Sequence, residues 1–145
     1  MHYNELGQPI GAPLPRWQPP PHPARAIHVN FEGRYCRLER LDAARHAADL
    51  RAANALDTSH ADWTYLSYGP LTSLADYHDW MRKSCGGDDP LFYAIVTGIH
   101  TPDEKAVGVA SYMRIDPAGG CIEVGGIKRS EEHTSELQSR LHLVC

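Results

Sequence analysis

The chain has 145 residues, 42% hydrophobic and 22% charged, which fits one globular domain long enough to bury a core. No apolar run approaches the roughly 20 residues that a bilayer requires, and the polar, proline-rich start holds no signal-peptide core, so no membrane partner and a cytoplasmic location are expected. A formal net charge of −4, with 14 basic residues scattered along the chain, argues against a nucleic-acid partner.

Seven of the eleven prolines fall within the first 23 residues, in "GQPIGAPLPRWQPPPHPAR". Proline fixes φ and removes backbone donors, so Pro9 to Pro23 is expected to be extended and irregular, with polyproline II around Pro19 to Pro21. Residues 1–28 then form a proline-rich arm. It serves either as a ligand for an SH3-like partner or as a strap lying across the domain with Leu14 and Trp17 as anchors.

A regular pattern begins at Val29. Arg34 to Leu41, "RYCRLERL", alternates Tyr35, Arg37 and Glu39 with Cys36, Leu38 and Arg40, which predicts a strand with one wet face. Asp42 stands as an N-cap before the alanine-rich "AARHAADLRAANAL", and a helix follows. Ser73 and Asp76 make a capping box for a second helix carrying Leu74, Tyr77, Trp80 and Met81, with Gly86-Gly87 as its stop. Between the helices, Trp63, Tyr65 and Tyr68 crowd into six residues ahead of Gly69-Pro70. Such a loop either walls a substrate pocket or plugs the space under the helix pair.

"LFYAIV", Leu91 to Val96, is an uninterrupted apolar run that predicts a strand covered on both faces. "TPDEK" and "DPAGG" then punctuate two further strands, one alternating through Val107 to Ile115 and one over "CIEVGGI". The order is β-α-α-β-β-β, an α+β arrangement ending in an antiparallel meander with an open edge.

Chemistry-bearing residues are few. Cys36, Cys85, Cys121 and Cys145 lie far apart without a C-x-x-C pair, and the nine histidines show no ligand spacing, so no metal site is expected. Glu123 sits in an otherwise apolar strand. Buried, it would be poised as a general base; on the polar side of the strand, it simply faces solvent. No phosphate-cradling glycine motif is present, and "GGIK" lacks the spacing for one.

Four segments, "YCRLERLD", "WTYLSYGPLTSLADYHDWM", "DPLFYAIV" and "AVGVASYMRIDPAGGCIEVGGI", keep the order and spacing of the first part of a GNAT-superfamily N-acetyltransferase. They most resemble the branch that includes the ribosomal-protein N-terminal acetyltransferases. The resemblance spans about Gly33 to Ile127 and implies direct attack by a primary amine on acetyl-CoA, without a covalent intermediate. It further implies that Glu123 borders the splayed strands that receive the cofactor and serves as general base. Trp63, Tyr65 and Tyr68 would wall the acceptor pocket, with Tyr112 facing it.

This chain departs from the family after Ile127, where a pyrophosphate-binding loop and helix N-terminus are expected and no cofactor-binding residue is identifiable. Residues 129–139, "RSEEHTSELQS", instead resemble the translation of a widely used DNA-sequencing adapter. Residues 128–145 are therefore expected to be a non-native tail, and the chain an inactive front part of an acetyltransferase domain spanning 29–127. The alternative is a non-catalytic module that binds a protein through the proline-rich arm and the aromatic loop.

Overall fold

The computed structural model describes residues 1–12, 15–25 and 30–130. Leu14, the Val29 start of the regular pattern, and the tail from Glu131 to Cys145 lie outside the described residues.

The first residues fold more than their proline content predicts. β1 (His2–Tyr3) pairs antiparallel with β2 (Pro9–Ile10). Asn4 organises the connection: its side-chain oxygen accepts from the N–H groups of Leu6 and Gln8 at 3.0 and 2.9 Å. This side-chain-to-backbone turn outweighs the irregularity expected from Pro9 onward. A short 3₁₀ turn, Pro23–Arg25, closes the arm.

β3 (Phe31–Glu32) and β4 (Cys36–Arg40) lead into α1 (Ala43–Asn54), then α2 (Leu74–Ser84), β5 (Leu91–Thr97), β6 (Lys105–Asp116) and β7 (Cys121–Arg129). The sheet order is β3-β4-β5-β6-β7, every neighbour antiparallel, so the expected α+β meander is present with β3 added at its start. Both predicted caps form. The Asp42 side chain accepts from the Arg45 N–H at 2.9 Å, and Ser73 and Asp76 complete their reciprocal box. α2 stops differently from the expectation: Cys85 caps it by donating to the Met81 carbonyl, and neither Gly86 nor Gly87 takes a positive φ.

α1 and α2 cover one face of the sheet. Phe92, Ala94 and Val96 of β5 and Val109 of β6 meet Ala47, Leu50, Tyr77 and Met81 there. Each fully buried side chain of the size of Leu50 or Met81 contributes roughly 1.5–3 kcal/mol. Ile95 and Val107 point to the other face, beside Cys36, Leu38 and Ala110. β5 is accordingly buried on both sides, as its unbroken apolar run predicts.

The face of β4 expected to be wet is instead an ion network under α1. Glu39 is buried, with its carboxylate 2.6 Å from Arg37 Nε, 2.6 Å from Arg45 Nε and 3.2 Å from His46 Nε2. His46 Nδ1 accepts from the Asp42 N–H at 3.0 Å, which leaves Nε2 to donate to Glu39. Burial alone would raise the Glu39 pKa. Hydrogen bonds from Arg37 and His46, with the nearby guanidinium charges, more than offset it and hold the carboxyl below its ordinary range.

Candidate functional site

β7 is bonded on one side only, to β6, and among the described residues it forms one edge of the sheet. It runs through Lys128 and Arg129, two residues past Ile127. Ile122, Val124 and Ile127 stand about half exposed along it. Gly125 pairs with Ser111 and Lys128 with Val109, so Gly126 and Ile127 together face Ala110 in a β-bulge. Gly126 sits at φ 57°, and a Cβ there would lie 3.0 Å from Ser111 Oγ. That hydroxyl donates to the Gly125 carbonyl at 2.8 Å and so pins the bulge. The bulge was not foreseen, although a Gly-Gly pair inside an apolar strand is the available signal.

Glu123 lies three residues before the bulge, opposite Met113. Its side chain is 44% exposed and pairs with Arg114 Nη1 at 3.3 Å, so it is a solvent-facing carboxylate held by a neighbouring cation. Arg114 itself occupies the left-handed region at φ 50°. Asp89 holds this backbone in place, accepting from the Arg114 N–H at 3.1 Å and the Ile115 N–H at 2.8 Å.

Of the four aromatic residues expected at the acceptor site, the structure brings Trp63 and Tyr68 together and not all four. Trp63 is buried in the helix-side core, where Gly69, at φ 90°, lets the backbone close against its indole. Tyr68 stacks on Trp80 at 4.6 Å and meets Trp63 edge-on at 6.0 Å. Its hydroxyl is buried without a hydrogen-bond partner among the described residues, and burial pushes the phenol pKa strongly up. Tyr65 is 98% exposed. Tyr112 belongs to the opposite face: it pairs with Leu91 and Val124, and its ring packs on Tyr93 at 5.7 Å and Phe31 at 6.4 Å. The sheet itself separates Tyr112 from Trp63 and Tyr68, because side chains alternate faces along β6.

Lys128 is a contact the sequence did not reveal. It is 4% exposed, with Nζ 3.3 Å from Asp62 Oδ2 and 4.5 Å from the centre of the Trp63 ring. A buried ammonium requires such partners, and these two tie β7 to the loop between the helices. Beyond the bulge, on the face away from the helices, lies an apolar hollow of about 650 Å³ lined by Phe31, Cys36, Leu38, Ile95, Ala110 and Ile127. Among the described residues no cluster of three or more His, Cys, Asp or Glu could hold a metal ion, and no helix is long and apolar enough to cross a membrane.

No family model and no curated protein matches the chain. Solved structures do. A GCN5-related N-acetyltransferase from Brucella melitensis is 37% identical with a TM-score of 0.73, over 83% of this chain and 52% of its own. A probable acetyltransferase of the GNAT family from Chromobacterium violaceum is 25% identical with a TM-score of 0.69, over 94% of this chain and 66% of its own. The fold of this chain therefore matches part of the GNAT acetyltransferase fold, and the chain spans about half to two thirds of the length of these two neighbours.

Proposed function

We propose that this chain is the front part of a cytoplasmic GNAT acetyltransferase, in the branch that includes the ribosomal-protein N-terminal acetyltransferases, which transfers an acetyl group from acetyl-CoA to a primary amine. The observation that carries this reading is the bulged, one-sided β7 within a fold shared with GNAT acetyltransferases. An edge strand presents backbone N–H and C=O groups outward, and the bulge at Gly126 interrupts the ladder to β6, which suits the amide-rich arm of acetyl-CoA.

The fit of the cofactor is partial. Its anionic portion needs cations or free N–H groups, yet the Lys128 ammonium is committed to Asp62 and Trp63, and Arg129 borders the hollow on the far face. Acetyl-CoA supplies an activated thioester. The chain's own contribution is at Glu123 and the bulge. An amine with a lysine-like pKa is mostly protonated near neutral pH. In this reading Glu123, the base that the resemblance implies, takes that proton through one water and leaves the amine neutral for attack. Exposed beside Arg114, it lacks the burial that would poise it for the role. Backbone N–H groups at the bulge would steady the oxygen that becomes negative as the amine adds, and the CoA thiolate then leaves with a proton.

The reading extends to the tail. The adapter match over residues 129–139 and the 52% span of the Brucella neighbour support a foreign segment in the stretch taken as 128–145. The buried ion pair of Lys128 argues for placing the junction just after it. Reads across the codons for Gly126 to Arg129, taken from source DNA without adapter ligation, are expected to leave this sequence after Ile127 or Lys128; codons for Arg-Ser-Glu-Glu-His-Thr in those reads would refute the foreign tail. In the resulting full-length protein, Glu123→Gln should lower kcat about 10²-fold or more. An unchanged rate would remove Glu123 as the base.

A further inference from the structure

The proline-rich arm contributes nothing to the chemistry above, yet one of its residues reaches the far edge of the sheet. Trp17 lies against Gly120 in the turn between β6 and β7. A Cβ on Gly120 would sit 2.9 Å from Trp17 Cζ2 and 3.2 Å from Cη2, and Gly120 itself takes φ 68°. A glycine is thus needed at this position twice over, for its backbone conformation and for the ring that covers it. The indole remains 56% exposed, so it covers the turn without entering the core.

The other end of the arm leads to β3, at the opposite edge of the sheet from β7. Four strand spacings, about 19 Å, separate those edges. The number of residues between Trp17 and Phe31 permits a reach of at most roughly 46 Å, so the chain is long enough to span the sheet. Pro19, Pro20, Pro21 and Pro23 limit the freedom of that chain before it docks, which lowers the entropic cost of fixing it.

We propose that the arm is a strap whose clasp is Trp17 on Gly120, steadying the outer end of the β6–β7 hairpin. Pairing with β5 holds β6 only as far as Tyr112. Beyond it β6 is irregular between Met113 and Asp116, Arg114 occupies a strained left-handed conformation with Asp89 as its tether, and among the described residues β7 is bonded on one side. Because Arg114 and Glu123 sit on this hairpin, the clasp makes Trp17 a positioning residue for the proposed base. That consequence rests on the acetyltransferase reading; the clasp does not.

Hydrogen exchange on the full chain separates the two. Trp17→Ala is expected to raise exchange at least about tenfold in residues 15–25 and 114–124 together, with β5 and α1 unchanged, and Trp17→Phe to restore most of the protection. Unchanged exchange at 114–124 in Trp17→Ala overturns the clasp, as does an equal rise throughout the sheet or a Phe variant as unprotected as Ala. Trp17→Phe retains an aromatic ring on an exposed site, so it keeps the test decisive if the alanine variant fails to fold. An intact clasp in a full-length protein that transfers no acetyl group would count against the acetyltransferase reading alone.

Discussion

At the scale of single residues, some buried polar groups have partners that explain them and a few have none among the described residues, the Tyr68 hydroxyl being one of the latter. A buried hydroxyl without a partner costs about 1–3 kcal/mol in desolvation, whereas its removal leaves the stacked ring intact. Tyr68→Phe should therefore match or exceed the parent in chemical denaturation, by up to about 1 kcal/mol. A clear loss would mean that the hydroxyl is bonded. Glu39 is the opposite case, enclosed by Arg37, Arg45 and His46. Its folded pKa is held below the unfolded value of about 4.3, so its contribution is complete above that pH and is lost as pH falls through the lower, folded pKa. Denaturation midpoints from pH 7 to pH 3 should fall more steeply for the parent than for Glu39→Gln, which begins roughly 1.5–3 kcal/mol less stable at pH 7. Parallel curves would contradict this.

The same residues show what a sequence discloses at this scale. Alternation along "RYCRLERL" separates Glu39 from Leu38 but says nothing of what covers each face. Helix α1 decides that, and it turns the expected wet face into an ion network. Lys128 was equally illegible, because its partner Asp62 is 66 positions away. Tyr112 could be assigned to a face of β6 but not to the face opposite the helices, since the parity of a strand relative to helices elsewhere is a tertiary fact.

At the scale of elements, local rules carried most of the fold. Asp42, and Ser73 with Asp76, announced both helix starts because capping is decided within four residues. Leu91 to Val96 announced a doubly covered strand because six consecutive apolar side chains cannot all avoid water otherwise. The N-terminal hairpin escaped, being built on Asn4 rather than on apolar alternation. The bulge in β7 escapes because "VGGI" also fits an uninterrupted strand. Gly126 tests that element. Its positive φ and the 3.0 Å approach of Ser111 predict that Gly126→Ala costs about 1–2 kcal/mol. Amide chemical shifts should move in β6 and β7 and hardly at all in α1 and α2. A neutral substitution would mean that the bulge does not depend on this backbone conformation.

At the scale of the whole molecule, the described residues present two helices on one face of a five-stranded sheet, an apolar hollow on the other, and β7 bonded on one side at the edge. The candidate base, the bulge and the strap's clasp all gather on the β6–β7 hairpin, while Trp63 of the aromatic loop lies in the core with Tyr68 packed against it. The functional reading accordingly leans on the edge strand that carries Glu123. It also makes the proposed activity a property of a longer protein, of which the described residues carry the proposed base. The most direct test is release of free CoA thiol from acetyl-CoA in the presence of primary amines, for this chain and for the gene product whose frame continues past Ile127. The account predicts amine-dependent thiol release by the longer product and none by this chain; enzyme-like release by this chain, or none by the longer product with any amine, would contradict it.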